Sequence, residues 1–285
     1  MNRLIKFIFR TSFSSITNYL FIFILPIILF SFSYLIMTSF GTTKITNFQK
    51  CAILGLTIIG PITTLMPISK IILDWRESIL IKQFKIFEIK KWQVILGLWI
   101  LSLVFCFITY ISMFIMGSFI DLFLINKNFI KSISLLQNIE QYIAILFIIT
   151  FLSFFVFIIS FIVSFLLKKI LLIQTINLFI IIYFMVFSDV FDPNLNSNNA
   201  WISVYNLLGT INPIKSIQWL LFSSYVNLGI NLNNIRYIIY STYIDIPFTF
   251  GTSNPILIIP MSMLQYFVLT GAMFSSLFFI KMNSL

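Results

Sequence analysis

Residues 141–166 read QYIAILFIITFLSFFVFIISFIVSFL, a run with no Asp, Glu, Lys or Arg; it ends at Leu167, Lys168 and Lys169, and a second apolar run follows over 170–189. A helix needs about 20 apolar residues to cross the ~30 Å hydrocarbon core of a bilayer. Two such runs separated by a lysine pair read as a membrane hairpin, so lipid is the solvent for which this chain is built. Working outward, comparable runs lie at approximately 19–40, 51–70, 93–117 and 256–280. The sequence therefore predicts six spans. Composition agrees: 60% of the 285 residues are hydrophobic and only 9% charged, with a mean hydropathy of +1.05. Soluble domains carry about 25% charged residues, and a globule this poor in them could not cover its surface. The predicted fold class is an all-α integral membrane protein, with a single transmembrane domain over 1–285.

Composition also excludes chemistry. There is no histidine, so imidazole-based triads, metal sites and proton shuttles are ruled out. Cys51 and Cys106 are too few for a disulfide framework or a thiolate zinc site, and both read as bulk hydrophobes. Gly55 and Gly60 are spaced like a phosphate loop, but Pro61 and Ile62 stand where Lys and Ser/Thr are required. The sequence has no Walker motif, so ATP hydrolysis is not expected on this chain, nor is any cofactor or metal. Phenylalanine occurs 35 times, against four alanines (Ala52, Ala144, Ala200 and Ala272). That imbalance reads as A/T-rich coding, so no single Phe carries functional weight.

Charge sets the orientation. Six spans place both termini on one side, and with that side cytoplasmic the 18 Lys and Arg residues divide 12 inside to 6 outside. The inside positives crowd into short loops, where the positive-inside rule has its force. Five of the eight acids fall outside: Asp121, Glu140, Asp189, Asp192 and Asp245. The net charge of +10 is accordingly read as membrane orientation, not as a nucleic-acid surface. The expected location is the cell membrane of a bacterium with an A/T-rich genome, with both termini cytoplasmic.

Residues 1–18 read as an amphipathic helix. Leu4, Ile5, Ile8, Phe9 and Ile16 share one face, with Arg3, Lys6 and Arg10 opposite. Such a helix lies in the cytoplasmic interface; the plainer alternative is a basic flank that only sets topology. Within the spans no ionisable group stands clearly at mid-depth, which argues against ion-coupled carriage. Gln174 and Asn177 are three residues apart and share a helical face, so they line either a translocation path or dimer seam, or an internal helix–helix contact. Pro26, Pro61 and Pro67 predict kinks, and Trp75, Trp92, Trp201 and Trp219 suit interfacial anchors.

The most charged loop is 74–98, which contains Asp74, Trp75, Arg76, Glu77, Ile81, Phe84, Lys85 and the run Lys91-Trp92-Gln93-Val94-Ile95-Leu96-Gly97. It can dock an amphipathic segment on the interface, with Asp74 and Glu77 near a helix start, or it can be a solvated basic loop. This stretch resembles the corresponding loop of ABC-2 type (type V) ABC transporter permeases. Arg76 and Glu77 match that family's Arg-Glu pair, Ile81 and Phe84 its apolar helix positions, and 91–97 its Ile-Leu-Gly approach to the third span. Ile79 and Leu80 replace its Gly-Thr, Glu88 its Pro, and Leu98 its Lys. Further on, 187–193 resembles the family's exit from the fifth span. Ile211-Asn212-Pro213-Ile214 resembles its Asn-Pro signature before the last span. The external segment 190–255 is longer and richer in Asn than the family pattern. Its apolar run from Ile217 to Val226 is too short to span and fits a re-entrant or interfacial helix, acting as a lid or as a release gate.

The resemblance implies a permease subunit of an ATP-driven exporter, working beside a separate ATPase subunit and a second copy or paralogue in membrane lipid. ATPase coupling would fall to the 74–91 segment, at Arg76, Glu77, Ile81, Phe84 and Lys85. The cargo would be hydrophobic or amphipathic: lipid, drug, peptide or glycan. Two other classes compete: a non-transporting membrane scaffold or sensor subunit, and a membrane-embedded enzyme, for which the spans supply no clustered acid, base or nucleophile.

Overall fold

A computed structural model describes residues 2–39, 50, 53–77, 91–124, 127–188, 212–225 and 271, and among them every regular element is a helix. Eight helices organise the description. They are α1 (Asn2–Phe13), α2 (Ile16–Thr38), α3 (53–77), α4 (Trp92–Phe123), α5 (Asn128–Ile133), α6 (Ile139–Leu166), α7 (Ile170–Val186) and α8 (Pro213–Tyr225). Four of these, α2, α3, α4 and α6, are long and apolar enough to cross a membrane, and α7 is a shorter apolar helix. The chain is a multi-pass membrane protein on this ground. The expected sixth span, 256–280, lies outside the described residues apart from Gly271.

The second span, α3, is the centre of the bundle. It is enclosed by α2, α4, α6 and α7, and 94% of its most apolar window is buried, against 28% for α2. The other spans and the shorter α7 keep one apolar face outward, such as Ile111, Ile115 and Phe119 on α4 and Leu171, Leu178 and Phe179 on α7. Facing lipid, these side chains need no protein partner.

Proline placement explains the irregular turns. Pro26 has no N–H for the carbonyl four residues back, and a π-turn over Leu20–Ile24 precedes it, closed by the Leu25 amide on the Leu20 carbonyl. In α3 a 3-10 turn at Leu56–Ile58 leads into Ile59–Thr63, and a fresh helical segment starts at Leu65 and runs to Glu77. Pro61 and Pro67 are each the third residue of their segment. In a first turn the missing N–H forfeits no helical bond, so the helix is jointed at Thr64 instead of broken.

Two boundaries differ from the sequence expectation. The amphipathic N-terminal helix stops at Phe13, and Ile16 belongs to α2, where it is 78% exposed. The cause is local: the Thr11 and Ser14 hydroxyls bond back to carbonyls within α1, while the Asn18 amide takes the Ser12 carbonyl at 2.7 Å and makes an elbow. The second span also does not end near residue 70. Its helix continues through Asp74, Arg76 and Glu77, so these residues form a last turn and not the start of a new helix.

The two ends of the bundle carry different elements. At one, α1 lies against α4 with Ile8 fully buried; a Cβ on Gly97 would stand 2.5 Å from the Ile8 Cδ1. Phe7 there meets Trp75, ring centroids 6.4 Å apart. At the other end, buried Asp121 at the end of α4 accepts from the Tyr34 hydroxyl and from the Ile130 amide at 2.7 Å. Tyr34 also accepts from the Phe129 amide at 3.1 Å. One carboxylate thus ties the first span to the start of α5, whose six residues could not hold a helix alone.

Candidate polar seam around the second span

Hydroxyls accompany the joint in α3. Thr57, Thr63 and Thr64 each donate three residues back, to the carbonyls of Leu54, Gly60 and Pro61 at 2.6, 2.7 and 2.6 Å. These bonds satisfy the side chains inside their own helix, as buried polar groups require. Thr64 also meets the Cys106 thiol on α4 at 3.3 Å. Gly60 lets α4 approach so closely that a Cβ there would lie 2.7 Å from the Thr109 carbonyl oxygen. Small residues at such crossings are how membrane helices gain contact without a hydrophobic driving force.

Two faces of α3 make polar contact with neighbouring helices. Toward α6, Ser164 donates to the Ser69 carbonyl at 2.8 Å and Ser160 to the Leu65 carbonyl at 3.4 Å. Toward α7, Gln174 and Asn177 donate to the Met66 and Leu65 carbonyls, both at 3.4 Å. The shared helical face read from the sequence is therefore turned onto the joint of the second span, within one chain. The amide oxygens of Gln174 and Asn177 are buried without a hydrogen-bond partner. An acceptor left so costs free energy unless a donor reaches it. Gln218 on α8 is in the same condition at both amide atoms.

At the α1 end of the seam stands Arg76. Its guanidinium donates to the Ser164 carbonyl, to Phe165 at 3.2 Å and to Leu167 at 2.8 Å. These are end carbonyls of α6, which have no partners within that helix. The fork of a guanidinium suits several acceptors at once, and a positive charge at a helix C-terminus meets the negative end of its dipole. Arg76 thereby locks the end of the second span to the end of the fourth. Glu77 closes the same helix, while Ile81, Phe84 and Lys85 lie outside the described residues.

The opposite end is closed by α8. Asn212 accepts from the Ile214 amide at 3.0 Å, and Pro213 is the first helical residue. Asn at the cap and Pro in the first position is the arrangement that local physics favours. The Asn212 amide also donates to the Phe184 carbonyl near the end of α7, at 3.1 Å. From there α8 buries Ile214, Ile217, Leu221 and Tyr225 against the bundle. The Tyr225 hydroxyl stands 3.1 Å from that of Tyr110 and 3.4 Å from that of Thr57. Gln141 closes the last turn, donating to the Ser224 and Tyr225 carbonyls at 3.1 and 2.8 Å.

Of the residues singled out in the sequence, the structure joins Gln174 and Asn177 to the seam and sets Arg76 and Asn212 at its two ends. Ser160, Ser164 and Tyr110, which the sequence shows as polar groups within the spans, receive their partners here, and Gln141 and Tyr225 join them; those partners lie dozens of residues away and leave no local signal. Compared with protein-family models, curated proteins and solved structures, the chain matches none.

Proposed function

We propose that the chain is the membrane subunit of an ATP-driven exporter of the ABC-2 permease kind, with hydrolysis on a separate ATPase chain. In this reading it has six spans, the last over 256–280, in a cell membrane with both termini cytoplasmic. Segment 74–91 and the interfacial α1 receive force from the ATPase, and a second copy or paralogue completes the pathway. The observation that carries the reading is the linkage of α3. A single jointed helix at the centre of the bundle runs to Glu77, where segment 74–91 begins its course in the sequence, and at that end Arg76 bonds it to the fourth span. A push applied there moves two spans as one body, which is what rigid-body coupling demands. The orphaned acceptors of Gln174 and Asn177 would meet donor groups of an amphipathic cargo near the joint.

The test is purification of the chain from its native membrane in mild detergent. An ATPase subunit should co-purify, and its hydrolysis should rise with cargo. Reversing Glu77→Lys should leave insertion intact, because an added cytoplasmic positive agrees with the orientation rule, but should uncouple hydrolysis from transport. If no ATPase is retained and the reversal is silent, the chain is a scaffold or sensor subunit.

A further inference from the structure

Lys70 is a charged residue on the central helix, and no role in the seam accounts for it. Its ammonium donates across to the elbow between α1 and α2, to the Thr17 hydroxyl and to that of Ser15 at 3.4 Å. Those two hydroxyls stand 2.8 Å apart. Ser15 occupies the cap position of α2, yet its side chain makes no capping bond; the hydroxyl is turned to Thr17 and Lys70 instead. The elbow that carries the two hydroxyls is braced by the Asn18 amide on the Ser12 carbonyl.

Proton counting shows what this cluster can accept. An ammonium has three protons, of which two are directed at the hydroxyl oxygens. Between the paired hydroxyls one proton is shared and the other is left over. The cluster thus presents two donors and one net positive charge at the point where the first span begins. A phosphodiester brings two free oxygens and one negative charge. Beside the cluster, Ile16, Leu20, Ile24 and Ile28 are all exposed and run along α2 at four-residue spacing, a surface for an acyl chain. Arg10, exposed in the last turn of α1, adds positive potential nearby.

We infer that Lys70, Ser15 and Thr17 form a site for the phosphate of an anionic phospholipid, whose acyl chains lie along the exposed face of α2. The occupant is a lipid and not a free anion, because the donors open beside an apolar stripe. Basic sites between membrane helices are a known physical means of holding acidic headgroups.

The experiment titrates the purified full chain in detergent with phosphatidylglycerol or phosphatidylcholine and counts bound lipid by native mass spectrometry. Phosphatidylglycerol should bind in preference to phosphatidylcholine. Lys70→Gln should weaken it about fivefold, the effect of one basic residue near an acidic headgroup. Thr17→Val retains every charge and should also weaken it; this variant keeps the test open should Lys70→Gln fail to fold. Lys168→Gln and Lys169→Gln, exposed lysines outside the cluster, should change binding little. Equal losses in all the lysine variants, with Thr17→Val unchanged, would mean diffuse attraction and overturn the site. Displacement of the lipid by glycerol phosphate would overturn the lipid assignment.

Discussion

Gly60 and Arg76 show how much a single position contributes when a helix has neighbours on every side. Adding one methyl at Gly60 puts a carbon 2.7 Å from the Thr109 carbonyl oxygen and 2.9 Å from the Met113 side chain. A backbone atom cannot step aside as a flexible side chain can. Gly60→Ala should therefore destabilise the bundle by about 1–3 kcal/mol, the range for overpacking, seen as a lower unfolding midpoint in detergent. Arg76→Gln removes a charged fork from three carbonyls at the end of α6 and should cost about 1–3 kcal/mol. Arg76→Lys, with one compact ammonium, should recover only part of that in the same melt. Neither role was legible in the sequence. Gly60 reads as a near-match to a phosphate loop, and Arg76 as half of an Arg-Glu pair, because the carbonyls it bonds lie some ninety residues further along the chain. Gln174 and Asn177 were half legible: helical periodicity puts them on one face, but nothing local says which carbonyls that face meets.

Elements were most legible where lipid decides them and least where polar groups set the ends. The fourth span was expected over 141–166 and runs Ile139–Leu166, because an uninterrupted apolar run has one stable form in hydrocarbon. The second span outran its expected end, since Asp74 to Glu77 look like loop until Arg76 has a helix end to hold. α8 is the reverse case. Asn followed by Pro carries a start signal in two residues, and the described helix behind it, Pro213–Tyr225, has 13 residues, fewer than a span needs. Asn212→Ala should remove the cap at a cost of about 0.5–2 kcal/mol and raise amide exchange in the first turn of α8. Asn212→Asp keeps an acceptor for the Ile214 amide but loses the donor to Phe184, so its exchange should lie between wild type and alanine. Equal exchange in all three would show that burial alone holds the helix.

For the whole molecule, the two ends should face opposite sides of a membrane. In a Cys51→Ser background, with Cys106 buried, Lys131→Cys should react with an impermeant thiol reagent in intact cells. Lys168→Cys should react only after permeabilisation. The opposite pattern would invert the orientation read from the charges, and labelling of both from one side would contradict the pairing of ends. The enclosed second span also has a consequence for biogenesis. It is the least apolar of the four long helices, and it leaves the ribosome before α4, α6 and α7, the helices that later surround it. During that interval it must wait in lipid or beside the insertion machinery. The back-bonds of Thr57, Thr63 and Thr64 are all internal to it, so those hydroxyls reach the bilayer already satisfied. Ser69, by contrast, finds its protein partners only when the fourth span arrives. A nascent chain halted after the second span should therefore remain extractable by carbonate, and one halted after the fourth should not.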